Sequence, residues 1–192
     1  MLRRMYDKTL ELADTPYALW ALAAVAFVES SFFPIPPHVM LIPMVVAAPH
    51  RAWLIAGVCT LASVAGGVLG YWIGAALFDS VGQPVLDFYG KAENFIAFQE
   101  SFNAYGAWAV LMAGLTPFPY KVITITSGVT GLDFNVFLFA SLIARGIIFF
   151  AIAAILWKFG PPVRDFVEKR FGLTMTVFFA LIVAGFAAVR LL

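Results

Sequence analysis

Long apolar runs dominate the chain, and several are too short to cross a membrane as one helix. Residues 17–33 contain a single charged residue, Glu29. As a helix they would rise about 25 Å, against roughly 30 Å of bilayer hydrocarbon. Three prolines within residues 34–37 end this helix, and residues 38–49 add a second piece of at most about 18 Å. Two short pieces around a proline break predict a re-entrant hairpin over residues 17–49, which enters and leaves the membrane on one side.

Residues 53–78 follow the first hairpin, are uncharged and are long enough to span with some tilt. The second half of the chain repeats this order of a hairpin and a span. Residues 79–105 alternate charged and aromatic positions at helical spacing, which predicts an interfacial amphipathic helix. Residues 107–130 hold two apolar half-helices around the break Pro117-Phe118-Pro119, which predicts a second hairpin. Residues 134–159 predict another span, and Asp133 is placed to cap its first turn.

The two ends of the chain complete the predicted architecture. Residues 1–14 place apolar side chains at helical spacing among charges, which predicts a helix on the membrane surface. A short solvated helix is the alternative. Residues 161–172 predict a polar turn, and residues 173–191 predict a last span. The predicted fold is all-α: one polytopic membrane domain over residues 1–192, with two opposed re-entrant hairpins, about three spanning helices and interfacial helices.

Composition supports a membrane protein and excludes several functions. Hydrophobic residues make up 62% of the chain and charged residues 12%, against about 25% charged in soluble domains. The net charge of +1 gives no basic surface for nucleic acid. One cysteine, Cys59, and two separated histidines exclude a disulfide framework and a typical zinc site. No common hydrolase, nucleotide or zinc-enzyme motif is present, so we expect no enzyme activity, no metal and no cofactor.

Charge placement predicts the orientation. With a cytoplasmic N-terminus and two re-entrant hairpins, basic residues distribute as the positive-inside rule requires. The acidic 79–105 helix then falls outside. Eight basic residues lie on the cytoplasmic side (Arg3, Arg4, Lys8, Arg51, Lys158, Arg164, Lys169 and Arg170) and two outside (Lys91 and Arg190).

Four ionisable residues are predicted at membrane depth: Glu29, His38, Lys121 and Arg145. Charges there are costly and normally face a cavity or a partner. In the functional interpretation, Glu29 and His38 couple protons, while Lys121, Arg145 and Thr116 bind an anionic headgroup beside the free N–H groups that start each half-helix. In the structural interpretation, Glu29 pairs with Lys121 or Arg145 and stabilises the fold.

Interrupted segments in corresponding positions indicate a transport site in repeat-built transporters. Each proline break is followed by a basic or titratable residue and then an apolar half-helix. Glycines at every fourth position of residues 53–78 predict close helix packing rather than nucleotide binding. The breaks are Pro34, Pro36, Pro37, Pro117 and Pro119, and the packing glycines are Gly66, Gly70 and Gly74.

These segments, in this order, resemble the DedA family, whose domain is shared with the eukaryotic VTT (SNARE-associated) proteins, and more closely its YqaA-like branch. The resemblance covers about residues 20–160. The motifs are Glu29 followed by Phe33-Pro34-Ile35-Pro36, the glycine helix from Gly66 to Gly74, Tyr105-Gly106, Thr116-Pro117-Phe118-Pro119-Tyr120-Lys121, Ser127-Gly128 and Ala144-Arg145-Gly146. The chain has His38 and Gly67 where the family often has acids, Gly114 and Ala75 where it often has arginines, and Lys121 in place of another arginine.

The resemblance implies two facing hairpins in a bacterial inner membrane and a role in envelope homeostasis. Relatives are lipid scramblases or carry undecaprenyl phosphate with the help of proton motive force. We therefore predict a transporter or scramblase of a phosphate-bearing lipid, with membrane lipids as partners and with homo-oligomerisation left open. The alternatives are an ion-coupled transporter of small solutes and a membrane organiser that binds partner proteins.

Overall fold

The computed structural model describes residues 16–31, 36–84, 86, 92–116 and 118–169, and this part of the chain is entirely helical in its regular structure. The predicted helix over residues 1–14 and the predicted span over 173–191 lie outside these residues. We number the main helices in chain order. They are α1 (Pro16–Ser31), α2 (His38–Ala47), α3 (Ala52–Leu77), α4 (Ala92–Ala104), α5 (Gly106–Leu115), α6 (Tyr120–Val129) and α7 (Phe134–Lys169).

Two helices are long and apolar enough to cross a membrane, and they match predicted spans. These segments are Pro49–Leu77, which includes α3, and Phe134–Gly160 of α7. Their outward faces carry large exposed apolar side chains, including Leu61, Phe139 and Ile143. Such faces suit contact with lipid rather than water. The carboxylate of Asp133 accepts the backbone N–H groups of Asn135 and Val136 at 2.9 and 3.0 Å, which confirms the predicted cap of α7.

The other apolar helices are short because proline or extended backbone interrupts them. Pro37 immediately precedes α2. Thr116, at ψ 166°, and Pro119, at ψ 106°, are extended and separate α5 from α6. At 1.5 Å per residue, the ten-residue helices α2, α5 and α6 each rise about 15 Å, and the 16-residue helix α1 rises about 24 Å. None of the four would cross roughly 30 Å of hydrocarbon as a straight helix.

Packing exchanges the half-helices between the two halves of the chain. The first piece of each pair packs on the long helix of its own half, α1 on α3 and α5 on α7. The second piece packs mainly on the long helix of the other half, α2 on α7 and α6 on α3. The helices α3 and α7 also contact each other, so they form the centre of the molecule.

The long helix α7 continues further than the sequence predicts. We expected a polar turn over residues 161–172, but helix resumes after a kink at Phe159 (φ −118°, ψ 17°) and runs to Lys169. Pro161 and Pro162 follow the kink directly. Proline is tolerated in the first turn of a helix because the N–H it lacks has no partner there. The prolines therefore restart the helix instead of ending it.

Candidate functional site

Arg145 lies close to the midpoint of the apolar part of α7, and its side chain is only 5% exposed. A guanidinium remains charged in proteins, so its burial requires nearby partners. Its Nη2 donates to Oε2 of Glu29 at 3.0 Å, and its Nε donates to Oγ of Ser63 at 2.6 Å. Glu29, near the C-terminal end of α1, is 16% exposed. The structure therefore brings together two of the four ionisable residues that the sequence places at membrane depth.

Two serines close the ion pair into a ring of hydrogen bonds. The hydroxyl of Ser30 lies 2.7 Å from that of Ser63 and donates to Oε2 of Glu29 at 3.1 Å. Arginine can only donate and a carboxylate can only accept. With Glu29 ionised, the direction of every bond is therefore fixed: Arg145 donates to Ser63, Ser63 to Ser30, and Ser30 to Glu29. Each serine donates once and accepts once.

Two aromatic rings, which we call the clamp, contact the guanidinium. Its central carbon, Cζ, lies 4.7 Å from the ring centroid of Tyr120 and 4.6 Å from that of Phe149. Both distances are within the range of cation–π attraction, which strengthens where water is excluded. The ring of His38, at the start of α2, lies 5.5 Å from that of Phe149. His38 therefore contacts the Phe149 ring of the clamp and forms no ion pair with the carboxylate of Glu29.

The glycine face of α3 lets α1 and α6 approach closely enough to form the ring. A Cβ on Gly66 would overlap the backbone carbonyl of Phe27 in α1, and one on Gly74 would overlap that of Ile125 in α6. At Gly70, a Cβ would overlap the hydroxyl of Thr124. Close approach brings Ser30 and Glu29 within reach of Ser63, three residues before Gly66 on the same helical face.

The remaining predicted site residues take no part in the hydrogen-bonded ring. Lys121 follows Tyr120 at the start of α6 and is half-buried, and no ion pair joins it to Glu29. Thr116 is exposed at the end of α5. Pro36, Pro37 and Pro119 lie next to the helix starts as predicted, while Pro34 and Pro117 lie outside the described residues. The binding roles of Lys121 and Thr116 remain predictions.

Sequence reasoning missed Ser30, Ser63, Tyr120 and Phe149. A usable signal was present for two of them. Ser63 precedes Gly66 and Gly70 by three and seven residues, which places it on the packing face of α3. Phe149 follows Arg145 by four residues on α7 and can therefore cover it. Within the residues that the structure describes, no cluster of histidine, cysteine and acidic side chains could hold a metal ion.

Comparison with known proteins shows which family and which relatives this chain is similar to. Residues 35–158 match the model of the VTT domain. An uncharacterized protein of Haemophilus influenzae is 37% identical over 168 residues, which cover 85% of this chain and 87% of the relative. A protein of Histophilus somni, named as a homologue of an uncharacterized protein, is 38% identical over 170 residues with the same coverage. No solved structure matches the chain.

Proposed function

The chain belongs to the VTT domain family, the domain of the DedA membrane proteins, and on this basis we propose that it moves a lipid with a phosphate-bearing headgroup across the bacterial inner membrane. Membership itself points to a transporter-like role in a membrane. The lipid would be a phospholipid or a polyprenyl phosphate, and its movement would support envelope homeostasis. The observation that carries the proposal is the buried guanidinium of Arg145, which has only one carboxylate partner in the described residues.

Arg145 has the chemistry that a phosphate headgroup needs. The planar guanidinium donates pairs of hydrogen bonds to carboxylate or phosphate, and it loses less by leaving water than an ammonium does. In the structure its polar contacts are with Glu29 and Ser63, and its stacking contacts are with Tyr120 and Phe149. A phosphate would take the place of the Glu29 carboxylate while the two rings keep the guanidinium in position. Lys121 and Thr116 would also contact the headgroup.

Displacement of Glu29 suggests how transport could use protons. A carboxylate that loses its arginine within an apolar environment becomes expensive to keep charged. It would therefore take up a proton when the phosphate binds and release it when Arg145 returns. His38, whose ring lies 5.5 Å from that of Phe149, would pass protons between this centre and the membrane surface.

The helix lengths support the membrane arrangement that we propose. The pairs α1–α2 and α5–α6 would each form a re-entrant hairpin, entered from opposite faces, with α3 and α7 as spans. The side chains of Trp53 and Trp157 lie next to each other, with ring centroids 6.0 Å apart, at the start of α3 and near the end of the apolar part of α7. Arg51 and Lys158 flank them. Aromatic and basic residues at one end fit a cytoplasmic interface.

Lipid movement in liposomes tests the proposal directly. The full chain would be reconstituted, and a headgroup-labelled phosphatidylglycerol would be followed by chemical quenching of the outer leaflet, with and without a pH gradient. A labelled diacylglycerol without phosphate serves as the lipid control. We expect movement of the phosphate lipid by the wild type and its loss in Arg145→Gln, whereas Glu29→Gln should lose only the dependence on pH.

The same preparation separates the alternatives. If no phospholipid or polyprenyl phosphate moves, the lipid proposal is wrong. Uptake of a small anion without lipid movement would favour a solute transporter. Absence of both activities, together with a stable and specific partner protein, would favour a membrane organiser.

A further inference from the structure

Two hydroxyl groups next to Arg145 are buried and have no hydrogen-bond partner in the described residues. They are Oη of Tyr120, whose residue is 1% exposed, and Oγ of Ser141, whose residue is fully buried. Each belongs to an element of the candidate site: Tyr120 is the first residue of α6, and Ser141 precedes Arg145 by one helical turn on α7. The two hydroxyls lie close to each other, but their geometry does not meet that of a hydrogen bond.

An unpartnered hydroxyl in an apolar interior is unfavourable. Leaving a buried polar group without a partner is costly, and nearly all such groups in proteins are paired. Phenylalanine and alanine would fill the same places without this cost. The pair therefore indicates a ligand that brings its own acceptor atoms.

The surroundings identify the kind of acceptor. The ring of Tyr120 forms one face of the clamp around Arg145, and its hydroxyl lies against α3, where a Cβ on Gly67 would come within 3.1 Å of it. Tyr120 also begins a ten-residue helix, whose first N–H groups carry a partial positive charge. The two O–H donors and the guanidinium therefore lie close together, on side chains of α6 and α7. This combination is complementary to an anionic oxygen.

We propose that Tyr120 and Ser141 are specificity-determining residues, whose hydroxyls donate hydrogen bonds to the phosphate oxygens of the ligand held by Arg145. This inference rests on the proposed function and adds two hydrogen-bond donors to the proposed phosphate site. The ion pair between Arg145 and Glu29 occupies the guanidinium in the ligand-free protein but reaches neither hydroxyl. A phosphate has more acceptor oxygens than Arg145 alone engages, so it can satisfy both.

Binding and stability measured together test the assignment. The full chain in detergent would be titrated with a short-chain phosphatidic acid and, separately, with inorganic phosphate, using wild type, Tyr120→Phe and Ser141→Ala. Melting temperatures would be recorded for the same ligand-free samples. The matched controls are Tyr105→Phe and Ser101→Ala, because both residues are exposed. Binding of phosphatidic acid alone would identify a lipid headgroup as the ligand, and binding of both would identify phosphate itself.

We expect each variant to bind at least about tenfold more weakly, since a hydrogen bond to a charged group contributes about 1.5–3 kcal/mol. The melting temperature should stay the same or rise, because no partner is lost in the ligand-free protein. Wild-type binding that both variants retain would overturn this inference alone. A lower melting temperature in both variants would also overturn it, because the hydroxyls would then be bonded within the folded protein. If the wild type binds neither ligand, the proposed function fails as well.

Discussion

The ion pair between Glu29 and Arg145 makes a quantitative prediction about stability. Each side chain is largely buried, and removing one partner leaves the other as an uncompensated charge, which typically costs about 3–5 kcal/mol. For a domain of this size, 1 kcal/mol shifts the melting temperature by about 2–4 °C. At the lower cost, either Glu29→Gln or Arg145→Gln should therefore melt about 6–12 °C below the wild type in detergent.

The double variant is the informative member of this series. Once both charges are absent, no charge is left unpaired, so its loss should not exceed that of the less stable single variant. The coupling energy would then be about 3 kcal/mol, taken from the four melting curves as a double-mutant cycle. If the two single losses add up in the double variant, the residues do not interact as the structure indicates, and the reasoning is refuted.

An apolar replacement of the same pair separates stabilisation from function. Buried ion pairs replaced by well-packed hydrophobic side chains are often neutral or more stable. We expect Glu29→Leu with Arg145→Met to melt at or above the temperature of the wild type and to lose lipid movement completely. Full activity in this variant would mean that the pair only supports the fold.

Three further predictions test packing, capping and orientation. Gly66→Ala should destabilise the protein by about 3 kcal/mol, because its Cβ would overlap the backbone of α1, whereas Gly57→Ala, with open space around it, should be neutral or slightly stabilising in the same thermal melts. Asp133→Ala should cost about 1 kcal/mol through the lost cap and Asp133→Ser much less, and equal losses would argue against capping. A cysteine at exposed Glu93, predicted outside, should react with an impermeant maleimide added to intact spheroplasts, and one at exposed His50, predicted inside, should not. The single native cysteine is buried and should give little background labelling. The reverse pattern would invert the proposed orientation.

Several helix starts and apolar segments of this chain follow from the sequence because their signals are local. Prolines fix the starts of α2 and α6, and long apolar runs identify α3 and the apolar part of α7. The glycine spacing similarly indicates a packing face before any partner is known. The continuation of α7 beyond Pro162 was not predictable, because proline is equally compatible with a turn and with the first turn of a helix.

The composition of the site was only partly predictable, because it depends on which helices meet. An ionisable residue in an apolar run is visible in sequence, and its need for a partner follows from physics. The choice of Arg145 over Lys121 as the partner of Glu29 is a tertiary property, set by the packing of α1 and α7 around α3. The unpaired state of the Tyr120 hydroxyl among the described residues is likewise a tertiary property, which only atomic coordinates reveal.

The contacts of Arg145 divide cleanly between the two halves of the chain. Its hydrogen bonds go to Glu29 and Ser63, which belong to the first half, while its stacking partners Tyr120 and Phe149 belong to the second half, as Arg145 itself does. A movement that separates α7 from α1 and α3 would break these hydrogen bonds and keep the contact with Phe149, which lies on α7 with Arg145. The guanidinium then loses its polar partners without losing its position. A phosphate that enters between the halves would meet a preorganised donor group, and preorganisation lowers the cost of binding.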